Sequence, residues 1–600
     1  MKGPVSYALA LIVAVHTVMV LFVHDYRDPR RHFLTWDAYG YYLYLPGAFI
    51  YGDLDAFAFT QKHREHYYLS GDFYQVREVA GKPVPSYTMG LAILWLPFFL
   101  AAHAVALAGA ASADGLSLPY QVAIALASAF YLWAGMRCLG RWLKRYVDAW
   151  TAAMVLLTLY FGTNLFYYAV FQPGLTHIYL FALYGVLLWW MERWFDRPSL
   201  VLATGLGALL ALLCVARPTE VVAVILLLGY ALSSGARWRA VWSHPAHVGA
   251  AALAGLAVVF PQMLIWKRQT GRWLFNAYAE QGWGFDWLHP HFAEKIFGFE
   301  KGWLLYSPLM GLAVLGLFFV HRYARAWAWP VAVFFLVNLW VLCAYTQWGM
   351  DTGFGMRFIV QSYAVLALPL AAFFCRFPWP ARVLAPLGVA LSLFQIWQLR
   401  QGILPTDHVN KPFYQAVFLK TTKDRMDLRF LDLEERPVFR RQQGETLAGY
   451  TWPADSVGAM GGQVQWVQGE PAQLLPGNVD AFSRNAEKTL LADEAARLAG
   501  QWVNLKARVL TPTDLFGHYD ASLLVFTLTR PGVEKSLRWV GVRYQRSIPV
   551  NTWTDFAFDV RLPADLRAGD VMTGGVWSPK CPDTVYVAGV ALGGLLLNVD

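Results

Sequence analysis

Long apolar runs alternate with short polar segments over the first two thirds of the chain. A run of about 17–25 apolar residues is long enough to cross a bilayer as a helix. Twelve runs approach or reach this length, at 5–23, 88–110, 119–141, 150–168, 175–192, 199–215, 220–234, 247–266, 306–320, 328–346, 357–375 and 381–399. The pattern predicts an α-helical polytopic membrane region over residues 1–400.

After residue 400 the pattern changes period. Residues 501–600 alternate apolar and polar positions in short runs such as WVNLKARVL, ASLLVFTLT and WTDFAFDVRLP. A period of two, with turn residues between the runs, is typical of antiparallel strands. We therefore predict a soluble β-sandwich at 501–600, preceded by a mixed connecting region at 401–500.

The basic loops constrain the topology of the membrane region. If all twelve runs were spans, the loop 137–145 and most later basic loops would face outward, against the tendency of basic loops to stay in the cytoplasm. The run 88–110 contains Pro97 and His103 and ends in the small residues ALAGAASADG. We interpret it as a re-entrant or juxtamembrane helix pair on the outer side. The remaining eleven spans then place five basic loops in the cytoplasm, namely 137–145, 193–197, 237–239, 322–325 and 376–382.

This topology places most of the unusual polar sequence outside. The run 5–23 has no small-residue cleavage site, so we expect an uncleaved signal-anchor with a cytoplasmic N-terminus. The outer face then receives a first loop at 24–118, a second large loop at 267–305, and everything after residue 400.

Composition agrees with a membrane protein and excludes other classes. The chain of 600 residues is 57% hydrophobic and only 15% charged, a profile typical of multi-span proteins. The net charge of +9 is explained by loops that orient the spans, so we expect no nucleic-acid partner. The five cysteines are scattered and form neither a disulfide framework nor a metal-binding spacing.

The first outer loop opens with an acidic residue in an aromatic stretch, LTWDAYGYYLYLPGAFIYGDL at 34–54. Asp37 can act as a general base if its carboxylate is held close to a hydroxyl group. It also suits the N-terminal cap of the helix that follows, and the two interpretations can coexist. Tyr41, and Tyr87 later in the loop, supply rings that pack against sugars or anchor the chain at the membrane interface.

A second polar group lies at a short outer turn in GTNLFYYAVFQPGLTHIYLF, at 162–181. Gln172 and His177 are its main candidates for ligand binding. Polar residues at membrane depth are costly and often functional, although they also join helices through hydrogen bonds.

Basic residues at outer positions run against the usual bias. Arg217 follows one predicted span, Arg357 begins another, and Lys267 and Arg268 lie in WKRQTGRW. An arginine fork matches phosphate oxygens, so these residues are candidate phosphate partners. The alternative is that their long side chains reach to the interface without binding anything.

The order of these segments resembles the GT-C superfamily of membrane glycosyltransferases. It is most similar to the bacterial branch related to protein O-mannosyltransferases and the aminoarabinose transferase of lipid A. The resemblance covers about 1–415 and rests on TWDAYGYYLYLPGAFIYGDL, SYTMGLAILWLPFF, GTNLFYYAVFQPGLTHIYLF, QGWGFDWLHP, EKGWLLYSPLMG and QWGMDTGFGMR.

The resemblance implies a function and a location. In this superfamily a sugar is carried on polyprenyl phosphate, and an acceptor hydroxyl attacks its anomeric carbon with inversion. It implies Asp37 as the base, with Arg217, Arg357 and Lys267 or Arg268 as phosphate partners. The acceptor would be a glycan, lipid or protein at the outer face of a bacterial inner membrane.

This chain departs from the superfamily at one point. Several relatives have a second acid between the third and fourth spans, where Gln172 and His177 stand here. We therefore expect no metal cofactor, although a divalent metal stays open. Other candidate bases are Asp53, Glu280, Asp286 and Asp351.

Two functions of other classes compete with an enzyme. A transporter or flippase of lipid-linked sugars would place charged residues across the bilayer, often in inverted repeats, whereas here the polar residues lie mostly outside. A non-catalytic protein of cell-surface glycan assembly is the other alternative, with the C-terminal β-sandwich as its carbohydrate-binding module. That β-sandwich could equally be a structural lid.

Overall fold

The computed structural model describes residues 3–28, 33–67, 69, 73–79, 81–277, 279–346, 353–435, 442–513 and 521–596. The chain divides into two compact units, Met1–Trp397 and Gln398–Asp600. The first unit is helical apart from a short hairpin, and the second is built mainly from strands. This division follows the change of period in the sequence.

The helices of the first unit are α1 (Pro4–Val23), α2 (Trp36–Tyr42), α3 (Tyr44–Pro46), α4 (Phe59–Tyr67), α5 (Gly90–Val105), α6 (Leu118–Leu143), α7 (Ala149–Phe161), α8 (Leu165–Phe171), α9 (Thr176–Asp196), α10 (Leu200–Ala216), α11 (Val224–Leu232), α12 (Gly235–Ser243), α13 (Pro245–Thr270), α14 (Phe292–Phe297), α15 (Trp303–Tyr306), α16 (Leu309–Gly316), α17 (Val320–Tyr323), α18 (Ala328–Ala344), α19 (Tyr363–Arg376) and α20 (Pro378–Arg400). Short 3-10 segments at Pro218–Ala223 and Arg357–Ser362 lead into α11 and α19. A hairpin of β1 (Val76–Val79) and β2 (Lys82–Pro85) lies in the first loop.

The helices confirm a polytopic membrane protein. Within the described residues, seven helices are long and apolar enough to cross a membrane, and nine if each of two bent pairs counts as one span. One bent pair is α7 with α8, which turn by 60° at their junction. The eleven spans expected from the charge pattern stay a prediction.

The segment 88–110 differs from its expected form. It forms one helix from Gly90 through Gly109 that is itself long and apolar enough to span, rather than a helix pair. Pro97 lies inside this helix without ending it. A proline removes only one backbone hydrogen bond, and tightly packed neighbours make the loss tolerable.

A buried ionic cluster joins the ends of several helices in this unit. Glu192 on α9 is fully buried and lies 3.0 Å from Nε of Arg145. Its Oε1 also accepts hydrogen bonds from the Tyr146 hydroxyl and from the Trp327 indole N–H. Arg145 bonds to Asp196 as well, at 2.6 Å. A buried carboxylate needs such donors, because an unpaired charge in the interior is costly.

Where the structure describes it, the second unit contains two seven-residue helices and two antiparallel sheets, besides short helical segments at Arg425–Asp432, Ala454–Ser456 and Ala459–Gly462. The two helices and the strands are α21 (Lys411–Val417), α22 (Ala492–Leu498), β3 (Gln442–Thr451), β4 (Val464–Val467), β5 (Glu470–Leu475), β6 (Asp480–Phe482), β7 (Ala486–Thr489), β8 (Trp502–Leu510), β9 (Leu523–Thr529), β10 (Arg538–Arg543), β11 (Thr554–Arg561), β12 (Val571–Pro579) and β13 (Val585–Leu596). One sheet has the order β10-β9-β12-β6 with β7 also paired to β12. The other has the order β11-β8-β13-β5-β4 with β3 also paired to β13.

The inner faces of the two sheets share one hydrophobic core. Leu505 on β8, Phe526 on β9 and Val576 on β12 are buried in it. Alternate residues of each strand point inward, as the period-two pattern predicts. The sheets begin at β3, however, so strands already occupy part of the 401–500 segment that the sequence pattern assigns to a connecting region.

Candidate functional site

The acidic residue of the first outer loop lies in the first turn of α2. Oδ1 of Asp37 accepts hydrogen bonds from the hydroxyls of Tyr74, at 2.5 Å, and Tyr87, at 2.7 Å. Its Oδ2 lies 3.4 Å from Nη2 of Arg357. The carboxylate is 21% exposed. Among the described residues its bonds are all to side chains, so no capping bond to the backbone accompanies them.

The hairpin explains why two tyrosines reach one carboxylate oxygen. Val76 of β1 pairs with Pro85 of β2, so Tyr74 and Tyr87, which flank the two strands, are brought side by side. The Ser86 hydroxyl donates to the carbonyl of Tyr74 at 2.6 Å. Sequence reasoning missed Tyr74, although the VAGKPV turn between two extended runs is a signal that could have placed it.

Tyr87 packs directly on the helix that carries Asp37. A Cβ at Gly40 would overlap the Tyr87 ring, so glycine is what allows this approach. The Tyr41 ring lies 4.6 Å from the Tyr87 ring. Both tyrosines singled out in the sequence therefore belong to the wall around Asp37.

The hydroxyl of Tyr74 stays protonated beside the acid. Burial, and then the negative charge of Asp37, raise the pKa of Tyr74. A protonated phenol donates to the carboxylate and holds its orientation.

The backbone is strained at the residue before Asp37. Trp36 has a φ of 49°, which non-glycine residues adopt at a cost.

Arg357 is held in place by the segment that precedes it. Asn164, at the break between α7 and α8, donates to the carbonyls of Phe354 and Met356, at 3.2 and 3.3 Å. Gly355 adopts a φ of 62°, a conformation that suits glycine. The bend in the predicted span 150–168 thus supplies an anchor for the residues directly before Arg357.

The second predicted arginine meets the first at a shared aromatic ring. The Arg217 and Arg357 guanidinium groups lie 5.6 and 5.0 Å from the centre of the Phe358 ring. Nη2 of Arg217 also donates to the Phe358 carbonyl at 3.2 Å. The structure therefore brings together two basic residues that are far apart in the sequence.

Arg217 is also tied to a buried acid that sequence reasoning missed. Its Nε and Nη2 lie 2.9 and 2.7 Å from Oε1 of Glu220. Glu220 further accepts from the Tyr184 hydroxyl at 2.7 Å and the Gln361 amide at 2.9 Å. Nη1 of Arg217 remains buried without a hydrogen-bond partner among the described residues. The three-residue spacing of Arg217 and Glu220 in RPTE was the available signal.

Of the polar pair at the outer turn, His177 adjoins the arginines. The His177 ring lies 4.7 Å from Tyr168 and 6.4 Å from Phe358. Its Nδ1 is buried without a hydrogen-bond partner in the described part of the chain. Oε1 of Gln172 is likewise buried and unbonded there, and no hydrogen bond joins Gln172 to Asp37.

Lys267 and Arg268 lie elsewhere, at the C-terminal end of α13. Nζ of Lys267 donates to the carbonyl of Gly271 at 2.7 Å, and so caps the end of its own helix. Arg268 forms an ion pair of 2.6 Å with Asp55, and both side chains are more than half exposed. Neither basic residue contacts Asp37 or the arginines at Phe358.

The alternative acids occupy different environments. Asp53 accepts from the backbone N–H groups of Ala56, Phe57 and Ala58. Burial alone would raise the pKa of Asp53, but these bonds lower it. Two further acids are exposed: Asp286 accepts two backbone bonds in a turn, and Glu280 lies 3.7 Å from Arg272. Asp351 lies outside the described residues.

A small cleft of about 30 Å³ opens beside Arg357. Its lining residues are Tyr168, Glu294, Lys295, Lys301, Gly355, Met356, Arg357 and Phe358. Cationic and aromatic side chains therefore dominate it. No group of three or more His, Cys, Asp or Glu side chains suited to a metal ion occurs in the described ranges.

Comparisons with known proteins give similarity at the level of solved structures. No protein-family model and no curated protein sequence matches the chain. Arabinosyltransferase EmbB from Mycobacterium smegmatis is 13% identical, with a TM-score of 0.38 over 98% of this chain and 64% of that one. The oligosaccharyltransferase of Archaeoglobus fulgidus is 11% identical, with a TM-score of 0.38 over 74% of this chain and 62% of that one.

A second structure of the Archaeoglobus fulgidus oligosaccharyltransferase, AglB, is in complex with an inhibitory peptide and a dolichol-phosphate. It is 11% identical, with a TM-score of 0.40 over 73% of this chain and 62% of that one. The chain thus spans slightly less than two thirds of the length of each of these proteins. Similarity of this degree does not by itself assign a function to the cluster around Asp37.

Proposed function

We propose that this protein is an inverting glycosyltransferase that moves a sugar from a polyprenyl-phosphate donor to an acceptor hydroxyl at the outer face of a bacterial inner membrane. One observation carries the proposal: a partly exposed carboxylate, Asp37, lies 3.4 Å from an arginine that also lines a cation-rich cleft. A base and a phosphate-binding surface are the two parts that such a transfer needs. The motif order that resembles the GT-C superfamily supports the same reaction.

The proposed chemistry uses Asp37 as the base. The acceptor oxygen attacks the anomeric carbon from the side opposite the phosphate, and its proton passes to Oδ2 of Asp37. The bond between the anomeric carbon and the phosphate oxygen breaks, and the phosphate leaves with the bonding electrons. Tyr74 and Tyr87 hold Oδ1, which leaves Oδ2 as the oxygen that can receive a proton.

The arginines at Phe358 stabilise the departing phosphate in this scheme. Negative charge develops on the phosphate oxygens as the bond breaks, and fixed cations lower the energy of that state. Arg357 lines the cleft. Arg217 lies against the same Phe358 ring, and its buried Nη1 group has no hydrogen-bond partner among the described residues. Aromatic side chains such as Tyr41 offer flat apolar surface for a sugar ring.

The proposal extends to the partners. The donor is a lipid in the bilayer, and the acceptor is a hydroxyl of a glycan, lipid or protein that reaches the site from the outer side. The C-terminal unit of two sheets is a candidate carbohydrate-binding module in the same scheme. No metal cofactor is part of the proposed mechanism.

The test is Asp37→Asn in the purified full-length protein, supplied with labelled polyprenyl-phosphate sugars and acceptor lipids or glycans. Asparagine keeps the size of aspartate but cannot accept a proton at neutral pH. We expect transfer to fall about 100- to 10,000-fold, while the protein stays folded and still binds the donor. Asp286→Asn is the matched control, since Asp286 is an exposed outer-loop acid, and it should transfer at the wild-type rate. Near-wild-type turnover of Asp37→Asn would eliminate Asp37 as the base.

A further inference from the structure

An exposed aromatic side chain stands directly before the candidate base. Trp36 precedes Asp37 in the chain, and its side chain is 56% exposed. Tyr41 and Tyr87 also lie near the carboxylate, but each is only 8% exposed. The indole of Trp36 therefore offers a substrate more open aromatic surface than either of these tyrosines.

Tyr74 connects this indole to the Asp37 carboxylate. Its ring lies 6.3 Å from the Trp36 ring, with the two planes tilted by 31°. Its hydroxyl donates to Oδ1 of Asp37 at 2.5 Å. The two rings, called the aromatic wall below, thus form an apolar surface that ends at the carboxylate.

The chain holds the Trp36 indole in place at an energetic cost. The φ of 49° at Trp36 lies in the left-handed region, which bulky residues rarely adopt. Glycine would adopt the same conformation without this cost. An indole that is more than half exposed regains little of the cost through burial. Because strain of this kind is concentrated at sites that bind or react with ligands, its presence here indicates a role for the indole in binding.

The aromatic wall is flat and uncharged, and this restricts the ligand. The flat side of a sugar ring presents apolar C–H groups that can cover an indole, while its hydroxyls stay at the rim where they can reach a carboxylate. A serine or threonine side chain would place only one methylene or methyl group on the same surface, so it would bury much less apolar area. The wall therefore fits a neutral sugar ring better than a peptide.

We propose that Trp36 and Tyr74 bind the sugar ring that carries the attacking hydroxyl, so that the acceptor is a carbohydrate. The inference rests on the proposed function, because it assigns the acceptor side of the same transfer. The hydroxyl of the bound ring gives its proton to Oδ2 of Asp37 while its oxygen bonds to the anomeric carbon of the donor. The wall orients the acceptor, and Asp37 takes up the proton.

The test measures acceptor binding to the purified full-length protein by calorimetry, in a detergent without a sugar headgroup. The probes are neutral oligosaccharides of glucose, mannose, galactose and arabinose, and a peptide rich in serine and threonine. Trp36→Ala should weaken oligosaccharide binding about 10-fold, as the loss of a central aromatic contact implies. Trp36→Phe keeps a ring and should bind within about 3-fold of the wild type.

Two further variants separate the ring from the backbone and from the membrane. Trp36→Gly also removes the ring but adopts a positive φ without strain. It should bind as weakly as Trp36→Ala and unfold at a higher temperature. Trp273→Ala is the matched control. Trp273 is 47% exposed in the loop after α13, and its ring lies 5.8 Å from Nζ of Lys267. It should bind oligosaccharides as the wild type does.

Steady-state kinetics gives a readout that a merely structural role would not move. With the donor saturating, Trp36→Ala should raise KM for the carbohydrate acceptor about 10-fold and leave kcat within about 3-fold of the wild type. This pattern is expected where a residue binds the ground state and the transition state equally. Donor affinity should not change.

The outcomes decide between a carbohydrate, a peptide and the bilayer as the partner of Trp36. Binding of at least one oligosaccharide that depends on Trp36 supports the proposal. Absence of oligosaccharide binding overturns it, as does binding that is unchanged in both Trp36→Ala and Trp36→Gly. Peptide binding that depends on Trp36, in place of oligosaccharide binding, overturns it in favour of a protein acceptor. Lower thermal stability of Trp36→Ala with unchanged oligosaccharide binding would make Trp36 an anchor at the membrane interface and overturn it too.

Failure of this inference is distinguishable from failure of the proposed function, because the titrations need no turnover. Oligosaccharide binding that depends on Trp36, without transfer from any polyprenyl-phosphate sugar, would count against the proposed function and not against the carbohydrate site.

Discussion

Two of the carboxylate–arginine clusters among the described residues of the helical unit, those of Glu192 and Asp37, differ in how far the carboxylate is buried. Glu192 is fully buried and receives bonds from an arginine, a tyrosine and a tryptophan, with Arg145 at 3.0 Å. Asp37 also has an arginine and tyrosines around it, but it is 21% exposed and its arginine is 3.4 Å away. The Glu192 cluster is closed to solvent, whereas the Asp37 cluster is open, because Asp37 is partly exposed and its partner Arg357 lines a cleft.

This difference separates a structural ion pair from a candidate reactive one. A fully buried carboxylate such as Glu192 is out of reach of a substrate hydroxyl and so lacks the capacity to take up its proton. A carboxylate with one oxygen held by tyrosines and the other at a long contact retains that capacity. Residue type alone does not distinguish the two, because both clusters contain the same chemical groups.

The largest expected effect is on the free energy of unfolding when the carboxylate of either cluster is removed. Glu192→Ala removes the buried acceptor of the Tyr146 hydroxyl and the Trp327 indole N–H, although Arg145 keeps Asp196, and should lower the free energy of unfolding by about 2–3 kcal/mol. Asp37→Ala should lower it by only about 1–2 kcal/mol, because the Asp37 side chain is partly exposed to solvent. Unfolding of the full-length protein in detergent measures both, and equal losses would remove the distinction between a closed and an open cluster.

The next effect concerns the two arginines at Phe358. Arg357→Ala should weaken donor binding by about 1.5–3 kcal/mol with little change in stability. Arg217→Ala should weaken donor binding and also lower stability, since it leaves Glu220 buried without its arginine. Donor titration and thermal unfolding of both variants separate the two results. Unchanged donor binding in both would leave the arginines with structural roles alone.

A smaller effect is expected at the tyrosines that hold Oδ1 of Asp37. Tyr74→Phe and Tyr87→Phe each remove one hydroxyl group. Each should slow transfer by raising the activation free energy by about 0.5–1.5 kcal/mol. The loss of transfer activity in the double variant, expressed as free energy, should differ from the sum of the two single losses, because both hydroxyls bond to the same carboxylate oxygen. Steady-state rates provide the measurement, and strictly additive losses would show that the hydroxyls act independently.

The smallest effect is expected at the basic residues that lie outside the cleft. Lys267→Gln and Arg268→Gln should change donor binding and stability by no more than about 0.5 kcal/mol, since an exposed ion pair contributes little. Donor titration and thermal unfolding of both variants provide the measurement, with Arg357→Ala as the comparison. A loss of donor affinity at Lys267 or Arg268 would return the phosphate-binding role to α13.

The period of the hydrophobic pattern determined the elements, because it is a local property. A helix or strand that faces an apolar environment must repeat apolar residues at its own spacing, so the run 502–510 could be identified as the strand β8 without knowledge of its neighbours. The same argument predicted the apolar helices of the first unit. It did not indicate the bend within 150–168, where Asn164 contacts a segment almost two hundred residues away.

Only the tertiary structure decided which polar residues meet. Asp37 and Arg357 are separated by 320 positions in the chain, and nothing local to either indicates the other. Lys301 and Lys267 lie near the two ends of the segment 267–305 and carry the same charge, yet one lines the cleft and the other caps its own helix. Long-range packing fixes the distances between residues that are far apart in the chain. A hydrophobic pattern that repeats every two or four residues contains no information about that packing.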